Sequence, residues 1–168
     1  AMNPCPCGHF GDSRGRCRCP PERIAAYRSR ISGPLLDRID LHVEVGRVAL
    51  EEIAATALPE RSAAVAARVA EARLLQRRRQ ARTNARLEGN DLAVQCCADP
   101  AALELLARAM RQLGLSARAY HRVLRVARTI ADLAGRPGVG VEHVAEAITL
   151  RQLDRRSASS EQGGDVSG

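Results

Sequence analysis

The chain has 168 residues, 45% of them apolar and only 2% aromatic, so its core must be built from Ala, Leu, Val and Ile, a composition that favours packed helices. All 26 basic residues are Arg and the net charge is +7. Without Lys, a phosphate-binding loop of the GxxxxGK[ST] type, Schiff-base chemistry and a Lys general base are excluded within these residues. No apolar run approaches the roughly 18 residues of a membrane-spanning helix. The opening Ala1-Met-Asn-Pro lacks the basic and apolar regions of a signal peptide, and a cytoplasmic protein without membrane contact is expected.

Residues 1–19 carry no apolar periodicity and read as a loop or a metal-stapled knuckle. Pro20-Pro21 opens a helix to about Ile31, since Pro fits the first helical turn. Ser32-Gly33-Pro34 breaks it, and Ser32 can cap a short turn holding Leu35, Leu36 and Ile39. Leu41, Val43 and Val45 alternate with Asp40, His42 and Glu44, which is strand periodicity. A single strand makes no sheet, so its partners must come from elsewhere. Residues 50–57 read as a short helix. Ser62 is placed to cap a long helix to about Ala81, and residues 83–91 read as a linker, with a helical turn over Asp91 to Cys97. Asp99-Pro100 opens a helix stopped at Gly114, with Leu103, Leu106 and Met110 on one face. Ser116 opens the next, ended near Gly135, with Tyr120, Val123, Leu124, Ala127, Ile130 and Leu133 facing inward. A last helix runs from about Glu142 to Leu153, burying Val144, Ile148 and Leu150. Residues 155–168 are Ser, Gly and charge, and are expected to be disordered.

Three constellations could carry chemistry. Cys5, Cys7, Cys17 and Cys19 crowd into fifteen residues. In a reducing compartment such a cluster reads as a structural zinc site, with Gly8 and Gly11 supplying sharp turns, His9 a substitute ligand and Arg14, Arg16 and Arg18 favouring thiolates. A metal-free loop or two disulfides are the alternatives. Residues 61–86 hold eight Arg against Glu71 alone. Arg73, Arg77, Arg78, Arg79 and Arg82 go round the helix rather than down one face, which suits a solvated surface as well as a phosphate-contacting one. Arg118, just after Ser116, and Arg38, flanked by Asp37 and Asp40, could reach a phosphate or simply form surface ion pairs.

Three blocks together resemble a known family. They are Ala1-Met-Asn-Pro-Cys-Pro-Cys-Gly8; Tyr27-Arg-Ser-Arg-Ile-Ser-Gly-Pro-Leu-Leu-Asp-Arg-Ile-Asp-Leu-His42; and the run from Gly114-Leu-Ser-Ala-Arg-Ala-Tyr-His to Leu133. In this order they resemble the C-terminal part of the magnesium-chelatase-like AAA+ ATPases of the bacterial competence-protein ComM/YifB type, over about residues 1–154. The resemblance implies a mainly α chain: the end of an AAA+ core (1–60, with a Cys-rich insertion and one strand), an Arg-rich helix and linker (61–90), a helical lid (91–154) and a tail (155–168). It implies Asn3 as a polar sensor near the γ-phosphate, Arg38 as an arginine finger acting on the neighbouring subunit's ATP, and Arg118 as a lid sensor touching the γ-phosphate. It further implies ATP and Mg2+ as cofactors, a homohexameric ring, and DNA branch migration. The family's phosphate-binding loop, acidic Walker strand and pore loops would lie upstream of Asn3, so the chain alone is expected not to hydrolyse ATP, and residues 1–60 to be looser than the lid. Two rivals remain: a magnesium-chelatase subunit that drives porphyrin metallation, against which the Cys insertion argues, and a zinc-stapled module binding nucleic acid through residues 61–86.

Overall fold

The computed structural model describes residues 1–12, 14–36, 38–46, 48 and 60–151. The expected helix at 50–57 and the tail at 155–168 lie outside them. The described residues form seven α-helices and one 3-10 turn, so the chain is mainly α, as its aliphatic, aromatic-poor composition predicts. They fall into two compact units, Ala1–Ile39 and the residues from Asp40 onward.

The first unit is a Cys-bearing loop followed by α1 (Pro21–Arg28) and the single turn α2 (Gly33–Leu36). Proline at the first position starts α1, with Glu22 in its first turn and Arg28 in its last, charges that suit the helix dipole. The helix stops three residues before the expected Ile31. Ser29 N–H closes on Ala25 O at 2.9 Å and Ser29 Oγ–H on Ala26 O at 3.1 Å, so the serine satisfies terminal carbonyls that further turns would have used. The only buried apolar residues here are Cys5 and Ile24. Arg28 joins α1 to the loop, donating to Pro4 O at 3.1 Å and stacking over Phe10 at 4.8 Å.

The second unit holds α3 (Ser62–Gln80), a 3-10 turn (Asn84–Arg86), α4 (Gly89–Cys96), α5 (Pro100–Leu113), α6 (Ala117–Leu133) and α7 (Val141–Thr149). α6 is the hub: α3, α4, α7 and the 3-10 turn all pack on it, while α5 packs on α7. Its stripe Val123, Leu124, Ala127 and Ala131 meets Leu106 of α5, Val144 of α7, and Leu87 and Leu92. Small residues on the stripe let the helices approach closely. Ser116 caps α6 by accepting from Ala119 N–H at 3.2 Å, as expected, and Gly114 ends α5 at φ 59°. Asp99 and Arg61 occupy the N-cap positions of α5 and α3 without a side-chain cap bond, so Ser62 is the first residue of its helix rather than its cap. α7 ends at Thr149, short of the expected Leu153, where Thr149 Oγ1–H turns back to Glu146 O at 2.7 Å. Leu133 and Leu103, expected inward, are 52% and 38% exposed, at the edges of their stripes.

Two segments differ from the sequence reading. Residues 83–91, expected as a linker, contain the 3-10 turn and the start of α4, because buried Asn84 and Leu87 anchor them. Residues 41–45, expected as a strand, form none. A strand needs a neighbour for its N–H and C=O groups; here His42 N–H reaches only Leu150 O. Nor does the alternation sort the side chains into two faces: His42 alone is buried, Asp40 and Glu44 are exposed, and Leu41, Val43 and Val45 are 47%, 68% and 90% exposed. The one bridge among the described residues joins Ala98 to Val139, with Asp99 N–H on Val139 O at 3.0 Å. It clips the start of α5 to the turn before α7.

Candidate functional site

The four clustered cysteines converge. All four sulfurs lie within 4.8 Å of one another; Cys5 is 3.3 Å from Cys7 and 3.7 Å from Cys17, and Cys7 is 3.7 Å from Cys17. A tetrahedral zinc–thiolate centre with bonds of about 2.3 Å needs sulfurs about 3.8 Å apart. The chain reaches this through left-handed Gly8 (φ 77°) and Gly11 (φ 82°), which a side chain would strain, and through Gly8 N–H on Cys5 O at 3.0 Å. All six cysteines are free thiols, so the two-disulfide alternative is not what these residues form. His9 is not part of the group.

Burial opposes ionising Cys5, but hydrogen bonds from the Cys7 and Cys17 thiols and the Phe10 and Cys7 backbone outweigh it and hold its pKa down to about 6. Cys17 gains from the Cys19 backbone, yet burial and the bonds to Cys7 and Cys5 push it up to about 11, and Cys19 is raised through Cys7 and burial. The arginines expected to favour thiolates are not what lowers Cys5, and Arg16 is paired with Asp12 at 2.8 Å.

The candidate phosphate contacts are all at the surface. Asn3 is exposed two residues before Cys5, with its side-chain amide 3.7 Å from the Cβ position of Gly8. Arg38 is exposed just after α2, its N–H bonded to Leu35 O at 3.0 Å. Arg118 is exposed in the first turn of α6 and has no ion pair among the described residues. Asn3 and Arg38 belong to the first unit and Arg118 to the second.

Sequence reading missed a buried polar network in the second unit. Arg128, fully buried on α6, donates to Asp132 Oδ1 from Nε (3.1 Å) and Nη2 (2.8 Å), and to the carbonyls of Cys96 (3.3 Å), Pro137 (2.8 Å) and Arg136 (2.6 Å). Arg79 of α3 reaches both Asp132 oxygens at 2.6 and 3.0 Å, and Asn84 donates to Asp132 Oδ2 at 2.8 Å. Burial alone would raise the Asp132 pKa; the Arg79 and Asn84 hydrogen bonds and the Arg128 charge outweigh it and hold it below the usual carboxylate range. This network is structural: every guanidinium donor of Arg128 has a partner. The available signal was an Arg–Asp pair at i and i+4, with Arg128 between Leu124 and Ala131 on the inward stripe.

A family model described as "Magnesium chelatase, subunit ChlI C-terminal" matches residues 59–151, and one described as "Magnesium chelatase, subunit ChlI" matches residues 1–53. The chain belongs to the magnesium-chelatase family. It is 39% identical over 156 residues to the competence protein ComM of Haemophilus influenzae and 40% identical over 156 residues to YifB of Salmonella typhimurium, covering 92% of this chain and 30% of each relative. An uncharacterised Mycobacterium tuberculosis protein is 39% identical over 160 residues, covering 93% of this chain and 31% of that protein. The chain therefore spans about a third of the length of these relatives. The C-terminal chelatase model takes in the whole α3–α7 assembly and Arg118; the other takes in the Cys cluster, Asn3 and Arg38. No helix among the described residues is long and apolar enough to cross a membrane.

Proposed function

We propose that this chain is the lid-bearing portion of an ATP-driven DNA-remodelling motor of the branch-migration type, acting in the cytoplasm as a ring of like subunits. Arg118 carries the reading. It stands in the first turn of α6, exposed, with the helix start fixed by the Ser116 cap. α6 is also the helix on which α3, α4 and α7 pack. A phosphate held or released at Arg118 would therefore act on the whole helical assembly as one body. ATP with Mg2+ would supply the transferable phosphoryl group and its charge. Arg118 would bind the γ-phosphate from the lid, Arg38 would stabilise the developing charge on a neighbouring subunit's nucleotide, and Asn3 would orient the attacking water. The competence role in the name of the Haemophilus relative and the Cys cluster support this reading over porphyrin metallation. Four thiolates, from Cys5, Cys7, Cys17 and Cys19, would hold Zn2+ as a structural staple near Asn3.

The test is made on the full-length gene product. ATP hydrolysis stimulated by branched DNA, and ATP-dependent migration of a labelled junction, are expected. Arg38→Ala and Arg118→Ala should each lower kcat about a hundredfold or more while the helical melt stays unchanged. ATP-dependent magnesium insertion into a porphyrin without any DNA effect would replace this reading with the chelatase one.

A further inference from the structure

We infer that the cleft between the end of α3 and the α6–α7 turn is a docking surface for the phosphodiester backbone of nucleic acid, with Arg78 and Arg136 as its phosphate contacts. The open cleft, about 510 Å³, is lined by Leu75, Arg78, Arg79, Asp132, Gly135, Arg136 and Pro137. Three arginines from two elements meet there with one carboxylate. That carboxylate is already committed: Asp132 accepts from Arg79, Arg128 and Asn84 and is 1% exposed. It has nothing left for the exposed Arg78 and Arg136, which have no ion pair among the described residues.

On α3, Arg68 pairs with Glu60 at 2.9 Å, and just beyond its end Arg82 pairs with Asp91, while Arg73 and Arg77, like Arg78, have no ion pair among the described residues. Arginines in the last turn of a helix do complement its dipole, which accounts for Arg77 and Arg78 in part. It does not account for Arg136, which comes from the α6–α7 turn. Its backbone is fixed there: its carbonyl accepts from Arg128 at 2.6 Å and its N–H bonds Ala131 O at 2.8 Å. The two guanidinium groups are thus carried on a rigid frame whose own acid is neutralised from inside. A polyanion with regularly spaced charges matches that arrangement. Leu75, 42% exposed, lines the cleft and offers apolar contact to sugars. This inference rests on the DNA-motor reading for its partner, but not for its geometry.

The experiment is fluorescence anisotropy of the 168-residue chain against a labelled 30-nucleotide strand and its duplex, without ATP, over a series of salt concentrations. Binding at low salt is expected, weakening as salt rises. Arg78→Ala/Arg136→Ala should weaken it about tenfold or more and flatten the slope of log K against log salt by about 1.8 on the duplex, near 0.9 per lost phosphate contact, and by about 1.4 on the single strand. Arg108→Ala/Arg111→Ala, an equal loss of charge on α5, should change the slope far less. Circular dichroism confirms that each variant folds. No binding at low salt, equal effects of the two double variants, or binding saturated by pyrophosphate with no response to DNA would each overturn the inference. Because the assay contains no ATP, a failed ATPase test leaves a positive result standing, and a negative result here leaves the motor reading to its own test.

Discussion

At Arg128 the chain places a permanent charge in its most apolar unit and surrounds it completely. Removing one partner of such a pair leaves the other buried and uncompensated, which costs about 3–5 kcal/mol. Arg128→Ala should therefore lower the melting temperature far more than Arg118→Ala, whose side chain is exposed. The same network sets the response to acid. The folded-state pKa of Asp132 lies below its unfolded value, so its contribution is present above about pH 4 and is lost as pH falls through the folded value. At the other end, burial pushes the Cys96 thiol up to about 11 against the opposing charges of Arg128 and Arg79. Its neutral form favours the fold up to the ordinary thiol value of about 8.5, and this contribution is lost as pH rises from there to the folded pKa. Melting curves across pH should fall at both edges. Asp132→Asn should lower the plateau and flatten the acid edge; an unchanged acid edge would mean that another carboxylate controls it.

The elements were legible in proportion to how local their causes are. Ser116, Gly114 and Pro100 marked helix boundaries because caps and stops act within one turn. The faces of α5 and α6 followed from period alone. The misplaced features depend on distant partners. Asn84 anchors a supposed linker because Gln76, Thr129 and Asp132 lie around it. Residues 41–45 keep strand periodicity without a strand because none of the described residues pairs with them as a neighbouring strand. The convergence of Cys5, Cys7, Cys17 and Cys19 was legible from spacing, whereas the roles of Asn3, Arg38 and Arg118 came only from resemblance. The turn before α7 gives a sharp test of packing between elements. A Cβ on Gly138 would lie 2.9 Å from Cys97 O, a backbone atom with little room to yield. On Gly140 it would meet the Glu142 carboxylate, at the end of an exposed side chain that can swing away. Gly138→Ala should cost about 1–3 kcal/mol in denaturant titrations, and Gly140→Ala less than about 0.5 kcal/mol. Equal effects would show that the Ala98–Val139 clip is not a fixed contact.

Across the whole molecule, the two units are held by different physics. The second has a continuous aliphatic core. The first, 39 residues long, buries only Cys5 and Ile24 among apolar residues. Units below about 40 residues usually need a metal, disulfides or a partner to fold. Purified with zinc, the chain should carry one metal ion per molecule by elemental analysis. A chelator should then abolish amide-exchange protection within residues 1–39 and leave α4–α7 protected. Uniform loss of protection, or none, would contradict this division of labour.

The bare aliphatics at Leu41, Val43 and Val45 have a consequence of a different kind. An extended segment with exposed apolar side chains is a template for stacking between copies. A charge of +7 keeps molecules apart only while salt is low. The solubility ceiling of the isolated chain is thus written into five residues outside both the Cys knuckle and the helical core, and buffer ionic strength decides how soon a concentrated sample reaches it.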